Sequence, residues 1–144
     1  MTYNQIGNIF TGFAAAHGQL KGYEFGYAAE LASSGERVYP AMWVTPTKGK
    51  IDDRMITYNF VITISAPAAQ DLSDVRQIQS DTFSIVTDLS AYLIKHYSDT
   101  LDLNMPISPM PFDCWSHANL AGWEVEFSIS LPWEVDSCEI PFNS

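Results

Sequence analysis

Three stretches of the chain recur with a clear period, and they set the frame of the fold. Over residues 55–66, Ile56, Tyr58, Phe60, Ile62 and Ile64 alternate with Thr57, Asn59, Val61, Thr63 and Ser65. A period of two predicts a strand with one buried face and one mostly polar face. Residues 123–131 repeat the pattern, with Trp123, Val125, Phe127, Ile129 and Leu131 pointing one way and Glu124, Glu126, Ser128 and Ser130 the other. Such alternation belongs to an antiparallel sheet covered on one side. Near the N-terminus, Ile6, Ile9, Phe10 and Phe13 fall at i, i+3, i+4 and i+7, which predicts an amphipathic helix within residues 3–20. Gly7 and Gly12 weaken that helix by up to ~1 kcal/mol each against alanine, so it must lean on a partner surface. Gly18 and Gly22 mark where it stops.

A longer helix is predicted from Asp71 or Ser73, either of which can cap it, to about Tyr97. Leu72, Val75, Ile78, Ile85, Val86, Leu89, Leu93 and Tyr97 lie in register along it. About 25 residues make a rod of roughly 37 Å, long enough to cross a four-stranded sheet. Residues 38–46 read as a strand around Trp43 and Val44. It begins at or near an edge, because Pro40 cannot donate to a ladder. Residues 47–53 read as a polar hairpin connection. Residues 22–37, with Tyr23, Phe25 and Tyr27 among glycines, show no clear period and read as an irregular aromatic arm or a short strand. Residues 104–111 hold Pro106, Pro109 and Pro111 and read as a loop or the ragged start of a strand, followed by a short strand over 112–115 and a turn near 118–122. Beyond Pro132 runs an acidic tail, residues 132–144. The expected architecture is α+β in the order α-β-β-α-β-β. It is a four-stranded, mainly antiparallel sheet with two helices, the long second helix packed on one sheet face.

Composition adds bounds rather than an activity. A chain of 144 residues is one domain, here 1–144. With 47% apolar and 17% charged residues it has enough to build a core and too few charges for a disordered chain. No run approaches the ~18 apolar residues of a membrane span. The first twenty residues lack the basic start and apolar run of a secretory signal, so neither a membrane nor secretion is expected. Charge placement says more. All seven Lys and Arg lie in residues 1–98 beside nine acids, whereas residues 99–144 hold eight acids and no base. Nucleic-acid binding rests on basic groups neutralising phosphates, and no basic patch is evident. The acidic third is expected to be a solubilising surface or a wall that DNA passes without sticking.

Candidate chemistry is thin. Cys114 and His117, with Cys138 as a third group, fall short of the four ligands of a structural zinc site. Two cysteines without a secretion signal read as buried small hydrophobes in a reducing compartment, not as a disulfide. No metal and no cofactor is expected. Asp113, Cys114 and His117 contain the residue types of an activated thiol, yet neighbours at a strand end point to different faces. Glu124 and Glu126 share a strand face, as a general acid–base pair requires, but beside Ser128 and Ser130 they read as solvated. No phosphate-binding, nucleophile-elbow or zinc-protease motif occurs, and a non-enzyme is expected. What the core pattern leaves over is aromatic: Tyr23, Phe25, Tyr27, Trp43, Phe112, Trp115, Trp133 and Phe142, with Ile140 in the tail. Exposed aromatic clusters mark interaction surfaces. Self-association is therefore expected, with the arm folding back over the open sheet as the competing reading. The candidate interface residues are Tyr23, Phe25, Tyr27, Trp43, Trp133, Ile140 and Phe142.

Three stretches carry a family resemblance: Tyr39-Pro40-Ala41-Met42-Trp43-Val44-Thr45-Pro46; Ser80-Asp81-Thr82 followed by Asp88-Leu89; and Leu120-Ala121-Gly122-Trp123-Glu124-Val125 through Asp136-Ser137-Cys138-Glu139-Ile140-Pro141. With the element order, they resemble the small neck and tail-terminator-like ring proteins of tailed bacteriophages, particularly of Bacteroides-type and crAss-like phages. The resemblance implies a virion structural protein, assembled in the host cytoplasm, that closes into a ring of six or twelve copies. Such a head–tail connector or tail terminator sits between the portal side of the capsid and the tail, contacts neighbouring connector and tail proteins, and lets the genome through without binding it. It implies no catalytic residues, and a contact role for residues 138–141. In such a ring Glu124, Glu126, Glu134 and Asp136 are the candidates to face the lumen. Two other readings of the residues stand beside it. One is a small-ligand-binding α+β domain with an aromatic pocket between the long helix and the sheet; the other is a hydrolase using Cys114 and His117.

Overall fold

The two strictly alternating stretches prove to be each other's partners. The structure is a computed structural model and describes residues 1–26, 38–69, 71–115 and 119–132. Its elements run α1 (Tyr3–Ala16), β1 (Gly22–Phe25), β2 (Ala41–Ile51), β3 (Met55–Pro67), α2 (Val75–Tyr97), β4 (Asp102–Leu103), β5 (Met110–Trp115) and β6 (Leu120–Pro132). β3 and β6 pair antiparallel along their whole length, from Met55 opposite Pro132 to Pro67 opposite Leu120. The register puts Phe60 across from Phe127 and Ile62 across from Val125, so the two apolar rows fall on one face.

Among the described residues the class is α+β with two helices and one sheet, as expected, but the sheet has six strands rather than four. Its order is β1-β2-β3-β6-β4, with β5 also on β6. It is also mixed, because β1 runs parallel to β2. The extra strands are short: β1 spans four residues and β4 two, too few for any period to show in the sequence. Residues 22–25, expected in an irregular arm or a short strand, form a strand; residues 27–37 of that stretch lie outside the described residues. β2 also runs further than expected, through Ile51, so the residues foreseen as a polar connection are mostly strand and the turn is confined to Asp52–Arg54.

Both helices pack on the apolar face. Thr2 caps α1 with a reciprocal pair of bonds: the Thr2 N–H donates to the Gln5 side chain at 2.7 Å, and the Gln5 N–H to Thr2 Oγ1 at 3.2 Å. Ile6, Ile9, Phe10 and Phe13 of α1 are buried, and Phe10 meets Phe60 edge-on at 5.3 Å. α2 contributes Ile85, Val86, Leu89 and Leu93 to the same cluster, which continues into Val125, Phe127, Ile129 and Leu131. The space between the long helix and the sheet is filled by these side chains. Each large apolar group removed from water there is worth about 1.5–3 kcal/mol. At 23 residues, α2 is a rod of roughly 35 Å. It starts later than Asp71 or Ser73 because the nearby carboxylates serve the preceding turn. Asp71 accepts from the Ser73 N–H at 3.1 Å and Asp74 from the Ala69 N–H at 2.8 Å, while Asp74, at the cap position, makes no side-chain bond to the helix. His17 Nε2 lies 2.8 Å from Asp88 Oδ2 and ties the end of α1 to α2. Among the described residues, no helix is long and apolar enough to cross a membrane.

Candidate functional site

The face turned away from the helices divides into an apolar end and a polar end. At the apolar end, Ala41, Trp43 and Leu120 form a second buried cluster with Tyr39 and Phe112 against it. Thr63 and Ser65, on the face expected to be solvated, are buried there. The sheet is therefore covered on both sides at this end, which is why residues 41–44 read as a continuous apolar run instead of alternating. At the other end, small polar side chains pair across the strands, Thr57 with Ser130 at 2.9 Å and Asn59 with Ser128, and Asn59 and Ser130 are buried as well.

Beside that polar strip lies a groove of about 350 Å³. Its floor is Val61, Glu124, Glu126 and Ser128, and its wall is the chain from Asn104 to Met110. The groove exists because the edge of β6 is notched. β4 pairs with β6 only at residues 129–130 and β5 only at 120–124. Between them the Asn104 N–H reaches Ser128 O at 3.0 Å, and then the chain swings away. Pro106 and Pro109 fall in this stretch and have no N–H to give to a ladder. Glu124 and Glu126 are both exposed on the floor, and Met105 and Met110 stand on the wall at 62% and 68% exposure.

The opposite side of the same face carries the other charge. β1 covers β2 only as far as Val44, so residues 45–51 of β2 form a free edge among the described residues. Lys48 and Lys50 lie opposite Asn59 and Thr57, which places them on the helix-free face, and both are exposed. Arg54 follows in the turn, so three of the seven bases sit within residues 48–54. A bulge between Pro46 and Lys48 interrupts the edge; a bulge, a proline and lysines are common guards of a free strand. The turn itself is held by Asp52, whose carboxylate accepts from the Arg54 and Met55 N–H groups at 3.0 and 2.8 Å. Those two bonds hold its carboxyl below the usual carboxylate range.

The residues singled out from sequence are scattered by comparison. Trp43 is 0% exposed in the second cluster and offers no surface to a partner. Tyr23 packs half-buried against the core, and burial pushes its phenol pKa up. Phe25, 38% exposed, stands edge-on to Tyr3 and Phe60 at 6.1 and 6.2 Å. Glu124 and Glu126 are brought together in the groove. Tyr27, Trp133, Glu134, Asp136, Ile140, Phe142, His117 and Cys138 lie outside the described residues, as does the side chain of Cys114, which is on β5. Among the described residues, no group of three His, Cys, Asp or Glu could hold a metal ion. Sequence reasoning missed Lys48, Lys50, Met105 and Met110. For the lysines alternation misleads: a strict period of two sets Lys48 and Lys50 with Val44 and Pro46 under the helices, and the bulge between Pro46 and Lys48 turns them to the other face. The methionines carried no signal. No protein-family model matches the chain, and no curated protein matches it.

Proposed function

We propose that the chain is a structural subunit that closes into a ring, a head–tail connector or tail-terminator type adaptor of a tailed phage. One observation carries this reading: among the described residues, the helix-free face has a basic free edge on β2 and an acidic notched edge on β6. A contact between copies made from two unlike patches is head-to-tail, and it generates a ring when the rotation closes. The sequence resemblance supplies the phage setting and a count of six or twelve. The net charge of −10 suits a channel through which DNA slides, because like charge keeps phosphate from adhering to the wall. On this reading the partners are further copies of the chain and neighbouring connector and tail proteins, and the chain does no chemistry. Electron micrographs of the purified chain test it. Annular particles are expected; fields holding only particles of single-chain size would overturn it.

A further inference from the structure

We infer that Lys48 and Lys50, on the free edge of β2, seat against Glu124 and Glu126 in the groove of the next copy; the inference rests on the ring reading above. Both pairs sit two residues apart on one face of a strand. Each pair is therefore spaced by about 6.6–6.8 Å along its strand, and two ion pairs can form in one register. In the single chain β3 stands between the lysines and the glutamates, and no ion pair joins them among the described residues.

The groove suits a lysine beyond its charge. Met105 and Met110 line the same groove as the carboxylates, and flexible thioethers pack well on the aliphatic stem of a lysine while its ammonium reaches the acids. Among the described residues the backbone of 45–51 turned away from β3 meets no strand, and a neighbouring copy seated there would cover it. Other occupants fit less well. The chain's own residues 133–144 contain Glu134, Asp136 and Glu139 and no base, and DNA carries the same sign as the groove.

The test is a pair of charge reversals in the full chain, Lys48→Glu with Lys50→Glu, and Glu124→Lys with Glu126→Lys. All four side chains are exposed, so both variants are expected to melt close to wild type. The first variant is acidic at both patches and the second basic at both. Each alone loses ring assembly, with the contact weakened by on the order of 100-fold. Mixed one to one, every edge meets a groove of opposite sign, and rings of alternating copies return. That rescue cannot come from misfolded chains. Assembly of the wild type also weakens as salt rises past a Debye length of about 8 Å near physiological strength. Should the wild type form rings and both variants do so equally well, this contact is wrong and the ring reading stands. Loss in both variants without rescue on mixing likewise overturns the contact. A wild type without rings overturns both.

Discussion

Trp123 reaches from the sheet to the long helix: its indole N–H donates to the backbone carbonyl of Gln79 at 2.7 Å. The same residue stacks at a tilt on Phe83, ring centres 4.8 Å apart, and the Gln79 side chain donates to the Phe112 carbonyl of β5 at 3.3 Å. One turn of α2 thus holds β6 and β5 together at the end of the sheet that is buried on both sides. Trp123→Phe keeps an aromatic ring and removes the donor. We expect a loss of about 1–2 kcal/mol in denaturant unfolding; an unchanged midpoint would show that the bond is replaced by water at no cost.

Next to it, Gly122 is fixed by contact. A Cβ built there would lie 1.9 Å from the Ile64 carbonyl oxygen, and the residue sits at φ +157°. Neither neighbour can yield, since both belong to paired strands. Gly122→Ala is expected to cost roughly 3 kcal/mol or more, read as a fall in Tm. A loss under about 1 kcal/mol would mean that the strands separate more easily than this packing implies.

Neighbouring residues on β6 offer a direct check of which face is which. Phe127 is fully buried, and Phe127→Ala is expected to cost about 3–5 kcal/mol. Glu126 faces the groove, and Glu126→Ala is expected to stay within about 0.5 kcal/mol. Similar losses at both positions would contradict the assigned register.

The fold was legible wherever burial was one-sided and the element long. The period of two in β3 and β6 and the i, i+3, i+4, i+7 apolar set of α1 translate directly into the observed core. The rest escaped for physical reasons. Gly22-Tyr23-Glu24-Phe25 is too short to show alternation and finds its parallel partner only after a long intervening segment. Residues 47–50 carry no apolar side chain, as suits an exposed edge strand, so they resemble a turn. Trp43 belongs to a run buried on both faces, where alternation vanishes and an interior tryptophan reads like a spare aromatic. The groove was half legible: Glu124 and Glu126 share a face by simple alternation. Its wall is not, because a proline-rich segment carries no period that says where it swings out.

The Asp52 turn gives the free edge of β2 a pH dependence. The Arg54 and Met55 N–H bonds lower the Asp52 pKa, so their contribution to the turn is fully present above the usual carboxylate range. It is lost as pH falls through the depressed folded value. Amide shifts of Arg54 and Met55, followed by NMR from neutral to acid, should move with a midpoint below that of an ordinary aspartate. A midpoint at or above the ordinary value would show that the turn does not hold the carboxylate.

The account as a whole depends on one chain meeting another through unlike edges. The most direct measurement is the mass of the purified wild-type chain by light scattering, near neutral pH and at low salt. Six or twelve times the mass of a single chain is the predicted result. A single-chain mass at every concentration reached would contradict it.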